Sequence, residues 1–204
     1  MSRDMSYRNN FIGGTDMSRI LGVSKYGDRE TVFKEKLGQS VNIDNMAMRI
    51  GRAMEQPIAD MYADTHETVL LKGNVTVLKR FMSDIDPLLY SLHEIDATEA
   101  YIVGSDGISG GSLDRIDVFN LEGVEIKTAP KAFKDVLELP EHYYVQIQHY
   151  MRICKKHVWN VAVVGKFNNS YNDFQVTAND ALWEVMEKEA ALFWDELIKR
   201  KEAL

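Results

Sequence analysis

Two segments rich in β-branched residues, 113–119 and 124–128, flank a short polar stretch at 120–123. Segments of this kind, bounded by Gly, Asp or Asn, are typical of β-strands, and the short connection predicts that they pair as a hairpin. Side chains two residues apart on a strand point to the same face of the sheet. We therefore expect Glu125 and Lys127 to project together from the second strand.

Asp114 on the first strand precedes Glu125 by eleven residues, so the hairpin can bring it alongside. Two carboxylates and an ammonium group suit phosphodiester hydrolysis. The carboxylates hold one or two Mg²⁺ ions at the scissile phosphate, and Lys127 orients the attacking water and helps to deprotonate it. Paired metal ions about 3.5–4 Å apart need further acidic ligands. Glu55, on a helix predicted before the strands, is the candidate for this role.

Two other aspartates compete with Asp114. Asp106 lies nineteen residues before Glu125, across the glycine-rich stretch at 104–111, and Asp117 lies well inside the predicted strand. Asp114 is favoured for these reasons. A Glu-x-Lys pair is also common on solvated strands, so a catalytic assignment needs support from other residues.

The remaining sequence alternates between helical and strand patterns. Helices are predicted at 28–37, 45–64 and 142–153, with a last helix that opens at 177–180 and runs to about 201, and strands are predicted at 68–71, 75–82, 113–119, 124–128 and 158–164. Asp28 suits the N-cap of the first helix, with Gly38 just beyond its end, and residues 177–180 match a capping box for the last helix. This pattern predicts the α/β (α+β) class, with a central mixed β-sheet flanked by helices.

Composition limits the architecture and the compartment. The 204 residues are enough for one sizeable core, and we expect residues 1–204 to form a single domain. No apolar run approaches the roughly 20 residues that span a bilayer, so we expect a soluble, cytoplasmic protein without membrane association. The only cysteine, Cys154, excludes an internal disulfide and a four-thiolate metal site. The formal net charge of −7 means that DNA contacts must use local basic patches or bound cations.

Five motifs occur in order over most of the chain. They are IGGTDMSRILG at 12–22 followed by VSKY at 23–26, GRAMEQPIADMY at 51–62, SLDRI at 112–116, VEIKTA at 124–129 and YYVQIQHYM at 143–151. In this order they resemble the YqaJ-like viral recombinase family, phage nucleases of the PD-(D/E)xK type related to lambda exonuclease. The resemblance implies a PD-(D/E)xK, restriction-endonuclease-like core. Leu113 stands before Asp114 where family members often have Pro.

The resemblance also implies roles for individual residues. Asp114 and Glu125 are expected to be metal ligands, with the main-chain carbonyl of Ile126 as another. Lys127 is the expected water activator, and Glu55 completes the acidic cluster. A Mg²⁺ cofactor follows, with Mn²⁺ as a possible substitute.

Two glutamines lie on the predicted helix at 142–153. By resemblance Gln148 is the glutamine that steadies the site, with Gln146 as a rival. Residues four apart share a helix face, so Tyr144 is expected to line the same wall as Gln148.

A 5′-phosphate pocket is implied by three residues. Arg8, Thr15 and Ser112 stand where lambda-like members place an arginine and two hydroxyl residues, and an arginine fork with two hydroxyl groups can bind a phosphate. Thr15 can instead cap a short helix beginning near Asp16, and Ser112 can close a glycine-rich turn. Lys131, just beyond the catalytic strand, is a candidate for contact with the DNA backbone.

The resemblance implies a metal-dependent exonuclease that degrades double-stranded DNA from its ends, 5′ to 3′, in recombination. The implied partners are double-stranded DNA ends, a phage single-strand annealing protein and further copies of the chain, such as a trimeric ring. A structure-specific or single-strand endonuclease is one alternative. A non-catalytic DNA-binding accessory protein is another, and the complete set of two acids and a lysine counts against it.

Overall fold

The computed structural model describes residues 6–40 and 45–204. The α-helices are α1 (Gly14–Ile20), α2 (Arg29–Lys36), α3 (Met46–His66), α4 (Val75–Phe81), α5 (Glu141–Cys154) and α6 (Asp180–Glu202). The strands are β1 (Leu70–Leu71), β2 (Tyr90–Asp96), β3 (Glu99–Gly104), β4 (Gly110–Gly111), β5 (Arg115–Asp117), β6 (Glu122–Ala129), β7 (Val158–Gly165) and β8 (Tyr171–Thr177). Short 3₁₀ helices cover Ser6–Asn10 and Pro87–Leu89. Among the described residues, no helix has the length and apolarity needed to cross a bilayer.

The main sheet has five strands in the order β1-β5-β6-β7-β8. Strands β6 and β7 run parallel and are joined by α5, whereas the other neighbours pair antiparallel. Strands β2, β3 and β4 form a second, smaller sheet. The expected central mixed sheet flanked by helices is therefore confirmed.

The two faces of the main sheet are covered by different helices. On one face, Ile58 and Tyr62 of α3 pack with Val124 and Ile126 of β6. On the other face, α5 packs over β7 in a cluster that includes Trp159. Because side chains alternate along a strand, burial of Val124 and Ile126 under α3 turns the intervening positions of β6 towards α5.

Several predicted elements are confirmed with small shifts in their ends. The Asp28 side chain caps α2 by accepting a hydrogen bond from the main-chain nitrogen of Thr31 (2.9 Å), and Gly38 beyond the helix has a left-handed φ of 71°. The last helix begins later than the predicted capping box. Thr177 ends β8, and the cap is Asn179, whose side chain accepts from the main-chain nitrogen of Leu182.

The predicted strand at 75–82 was wrong, because this segment forms helix α4. The Asn74 side chain caps it by accepting from the main-chain nitrogen of Val77 (3.0 Å). Leu78 and Phe81 are fully buried and so anchor one helical face in the core. Tertiary burial outweighs the strand preference of the β-branched residues here. Strands β2, β3, β4 and β8 were not predicted from the sequence.

A close contact between β6 and β7 constrains position 123. Gly123 pairs with Trp159 in the parallel register, and a Cβ atom on Gly123 would lie 2.2 Å from the buried indole. We expect Gly123→Ala to lower the free energy of unfolding by about 2–3 kcal/mol, because the core must shift to accept the methyl group. Urea denaturation measures this change.

Gly51 provides the matched control for Gly123. It lies within α3, and a Cβ atom there would have no neighbour within 4 Å. Gly51→Ala should therefore be neutral or stabilising by up to about 1 kcal/mol, because alanine favours a helix. Equal unfolding free energies for the two variants would contradict the close contact at Gly123.

Candidate active site

Strand β6 places Glu125 and Lys127 on the sheet face that α5 covers. The Lys127 ammonium donates a hydrogen bond to Oε1 of Glu125, whose side chain is only 1% exposed. The same ammonium lies 3.3 Å from Oε1 of Gln146 and 4.7 Å from the ring centre of Tyr143, both on α5. The lysine is thus held by a carboxylate, an amide and an aromatic face.

Asp114 reaches this group from the position just before β5, on the first arm of the predicted hairpin. The register pairs Arg115 with Val124, which puts Asp114 beside Glu125. Its Oδ2 accepts a hydrogen bond from the main-chain nitrogen of Ile126 (3.0 Å). One carboxylate from each arm of the hairpin therefore lies at the same place.

Glu55 of α3 lies at the edge of this acidic group. Burial and the charge of Asp114 raise the pKa of Glu55 above its usual range. Its Oε2 is 3.9 Å from the guanidinium of Arg115, which also donates to the side-chain oxygen of Gln56 (3.2 Å). Buried Arg115 thus links α3 to β5 and keeps the third carboxylate near the other two.

The electrostatics of the site show an unsatisfied negative charge. Burial, reinforced by the charge of Asp114, raises the pKa of Glu125 to about 7. Burial alone would lower the pKa of Lys127, but the carboxylates of Glu125 and Asp114 raise it above its ordinary value. Oε2 of Glu125 is buried and has no hydrogen-bond partner. Such an oxygen beside further carboxylates fits a cation.

The oxygen donors suit a hard divalent cation better than zinc. Across 6–40 and 45–204, no three His, Cys, Asp or Glu side chains converge as a ready-made metal cluster. The charge of the Asp114 carboxylate acts on Glu125, and Oδ2 of Asp114 is held by the main-chain nitrogen of Ile126. Carboxylate and carbonyl oxygens are the ligands that Mg²⁺ and Mn²⁺ favour.

Placing Gln148 in the site was wrong, and its rival Gln146 occupies that position. Nε2 of Gln146 donates to Oε1 of Glu125 (2.9 Å). Gln148 is fully buried elsewhere: its amide donates to the carbonyl of Thr177 (2.7 Å), and its oxygen accepts from the indole nitrogen of Trp183 (2.9 Å). Residues two apart on a helix point to nearly opposite sides, so only one of these glutamines can face β6.

Tyr144 follows Gln148 away from the site, contrary to the prediction that it lines the catalytic wall. Its hydroxyl accepts from the Asn179 side chain at 3.4 Å. Tyr143 and Tyr150, which were not predicted to lie at the site, are three residues before and four after Gln146. Their spacing on a helix was the available signal.

Neither rival aspartate lies beside Lys127. Asp106 forms an ion pair with Arg152 (3.1 Å) and accepts from two main-chain nitrogens of its own loop. Asp117 accepts from the Thr68 hydroxyl (2.7 Å) and from main-chain nitrogens of the β5–β6 turn. These contacts support loop and turn structure, and Asp114 alone of the three aspartates contacts β6 next to Glu125.

Thr15 and Ser112 lie on segments that pack against α5. Thr15 is exposed and follows Gly14, where a Cβ atom would lie 2.8 Å from the Gln146 side chain. The N-cap of α1 is Gly13, so Thr15 is not the cap. The Ser112 hydroxyl is buried without a hydrogen-bond partner.

The two basic residues predicted to bind DNA are both exposed. Arg8 lies on the first 3₁₀ helix, and its main-chain oxygen accepts a hydrogen bond from the Lys36 ammonium. Lys131 lies just beyond the end of β6 and lines a surface depression with Lys134. Both side chains are accessible to a polyanion.

The fold, with its mixed sheet and acidic hairpin, is of the phage exonuclease type. The chain is similar to the alkaline exonuclease LHK-Exo from Laribacter hongkongensis, with a TM-score of 0.67 and 15% identity over 97% of this chain and 93% of that one. A structure of LHK-Exo in complex with dAMP gives a TM-score of 0.66 with 16% identity and the same coverage. A phage-related exonuclease from Haemophilus somnus 129PT gives 0.62 with 12% identity over 97% and 99% of the two chains.

The model of the YqaJ-like viral recombinase domain matches residues 5–157, and the chain belongs to that family. This confirms the resemblance that the five motifs indicated. A search of curated proteins gave no match. Family membership supports a general nuclease function.

Proposed function

We propose that the chain is a divalent-metal-dependent deoxyribonuclease that degrades double-stranded DNA from its ends, 5′ to 3′. One observation carries the proposal: the Lys127 ammonium is fixed against one oxygen of Glu125, while the other oxygen is buried without a partner beside Asp114. A non-catalytic DNA-binding protein has no need of this arrangement. We propose that residues 1–204 act as a single nuclease domain.

The metal site would use carboxylates from three elements of the fold. Glu125 and Asp114 would be the main ligands of Mg²⁺, or of Mn²⁺, with the carbonyl of Ile126 and the carboxylate of Glu55 as additional donors. A bound divalent cation supplies positive charge that stabilises the leaving oxygen of a phosphodiester.

Lys127 would position the attacking water and bind the scissile phosphate. Its raised pKa keeps it an ammonium group at neutral pH, so it donates hydrogen bonds and offsets negative charge. Gln146 holds both Lys127 and Glu125 and thereby fixes their separation. The ring of Tyr143 restricts the ammonium from a third side.

Four residues would contact the DNA around this centre. Arg8, Thr15 and Ser112 are proposed to bind the 5′-phosphate, and Lys131 a phosphate of the backbone. The hydroxyl of Ser112 supports this assignment because it is buried and unpartnered. The proposed partners are duplex ends, a phage single-strand annealing protein and other copies of this chain, such as those of a trimeric ring.

The test compares linear 5′-phosphorylated duplex DNA with covalently closed circles in Mg²⁺, in Mn²⁺ and with a chelator. We expect metal-dependent release of nucleotides from the linear duplex, beginning at its 5′ ends, with the circles left intact. Rapid loss of circles would indicate an endonuclease. DNA binding without cleavage in either metal would indicate an accessory protein.

The two glutamines should give opposite phenotypes. Gln146→Ala is expected to lower the cleavage rate about tenfold or more with little change in stability, because Lys127 and Glu125 lose their shared partner. Gln148→Ala should instead lower the free energy of unfolding by about 2–3 kcal/mol, because buried partners such as the Trp183 indole lose their hydrogen bonds. Cleavage assays and urea denaturation of both variants measure these effects. Equal loss of activity in the two folded variants would argue against Gln146 as the residue that positions Lys127.

A further inference from the structure

Four rings form a continuous row that passes beside Lys127. The ring centres of Tyr26 and His142 are 5.5 Å apart, edge to face, and those of His142 and Tyr143 are 4.2 Å apart. Phe133 follows at 6.3 Å from Tyr143, whose ring lies under the ammonium of Lys127. The row therefore runs from the α1–α2 loop, across the start of α5, to the segment after β6.

Core packing does not account for the end of the row at Tyr26. This side chain is 61% exposed, and tyrosine rings that serve the core are largely buried. The Lys25 ammonium lies 5.2 Å from its ring. Nε2 of the neighbouring His142 is buried without a hydrogen-bond partner. An exposed ring, a cation and an unsatisfied nitrogen thus occur together a short distance from the catalytic lysine.

Positive charge from two segments acts on His142. Burial lowers the pKa of His142, and the ammonium groups of Lys25 and Lys127 lower it further. Lys25 also lies 5.2 Å from the ring of Tyr26, and Lys127 lies 4.7 Å from the ring of Tyr143, the two rings that contact His142. Beyond the other end of the row, Lys131 and Lys134 line the surface depression that Phe133 also borders.

Alternating rings and cations are the features by which proteins bind single nucleic-acid strands. Bases stack on aromatic side chains while lysines contact the phosphates, and both interactions tolerate any base sequence. The formal net charge of the chain is −7, so a basic, aromatic surface beside the acidic site differs in charge from the protein as a whole. A peptide or lipid surface would not require flat rings spaced beside ammonium groups.

We propose that Tyr26 stacks on a base of the strand that Lys127 acts on, close to the attacked phosphate, and that Lys25 binds a phosphate of the same strand. This inference rests on the proposed nuclease function. It assigns to the α1–α2 loop the task of holding an unpaired base at the site. Tyr26 is a binding residue in this scheme and takes no part in hydrolysis.

The test uses 5′-phosphorylated duplexes that carry the fluorescent base 2-aminopurine at one of the first four positions from the 5′ end. Ca²⁺ replaces Mg²⁺ so that binding is measured separately from cleavage. We expect the wild-type protein to quench 2-aminopurine at one or two of these positions. Tyr26→Ala should abolish that quenching and weaken DNA binding about tenfold, whereas Tyr26→Phe should retain both.

Two controls distinguish a loss of stacking from the general effect of removing an exposed aromatic side chain. Phe119 in the β5–β6 turn is 64% exposed and lies at the opposite end of β6, so Phe119→Ala should leave quenching and affinity unchanged. Removing the base at the quenched position should weaken DNA binding by the wild-type protein to the level that Tyr26→Ala shows with intact DNA. It should not weaken DNA binding by Tyr26→Ala any further. This non-additivity is the signature of a direct contact between the ring and the base.

The outcomes separate this inference from the proposed function. If the protein binds and cuts DNA but Tyr26→Ala quenches and binds like the wild type, the stacking inference is overturned and the nuclease stands. An equal loss in Phe119→Ala also overturns it. If the folded wild-type protein neither binds nor cuts DNA under any of these conditions, the proposed function fails together with the inference.

Discussion

Lys127→Met is expected to lower the rate of DNA cleavage by roughly a thousandfold while the protein stays folded. The ammonium is held by Glu125, Gln146 and the ring of Tyr143, so its position is fixed by three partners. Methionine keeps much of the apolar stem and fills the same space, but it cannot donate to a phosphate or a water. The loss should therefore appear in the maximal rate more than in DNA affinity.

Nucleotide release from linear 5′-phosphorylated duplex in Mg²⁺ measures this effect, with DNA affinity measured separately in Ca²⁺. Lys199→Met is a matched control, because Lys199 is exposed on α6 and forms an ion pair with Asp195 in the adjacent turn (2.7 Å), away from the acidic hairpin. That variant should cleave at the wild-type rate. If folded Lys127→Met cleaves DNA at a rate within tenfold of the wild type, a residue other than Lys127 must activate the water.

Glu125→Gln should abolish cleavage and remove the stabilisation that Mg²⁺ gives the native protein. A cation that binds only the folded chain adds about 2.7 kcal/mol at one hundred times its dissociation constant. For a chain of this length such a gain raises the melting temperature by roughly 5–10 °C. Glutamine keeps the size of the side chain but replaces the buried, unpartnered carboxylate oxygen with a neutral amide.

Thermal denaturation with increasing Mg²⁺ measures this effect, and Glu122→Gln is the control. Glu122 lies at the start of the same strand and accepts a hydrogen bond from the Asn160 amide (2.7 Å), which a glutamine oxygen can also accept. The melting temperature of Glu122→Gln should rise with Mg²⁺ as it does in the wild type. A Mg²⁺-dependent rise of wild-type size in Glu125→Gln would show that the cation binds elsewhere.

The alternation of β6 made the centre of the site predictable from sequence. Period-two spacing put Glu125 and Lys127 on one face, and a short turn could bring Asp114 only to the adjacent position. The structure has both features because Val124 and Ile126 are buried under α3, which fixes the register of the strand. A register error of one residue would reverse both faces, so burial makes the local pattern decisive.

Helix α5 shows where prediction from sequence failed. Its last residues are buried on all sides, including Gln148 and His149. A helix buried all round has no apolar stripe that tells which side faces the sheet. The choice between Gln146 and Gln148 therefore depended on tertiary contacts, such as the hydrogen bond from Trp183 to Gln148.

Gly14 packs directly against Gln146, the residue whose amide contacts both Lys127 and Glu125. No side chain larger than hydrogen fits at position 14, since even a methyl group would lie 3.1 Å from the Gln146 carbonyl oxygen. Helix α1 thus packs directly against the part of α5 that carries Gln146. A variant without α1 would keep Asp114, Glu125 and Glu55, but it would lose Thr15 and the surface that supports Gln146, the partner of Lys127.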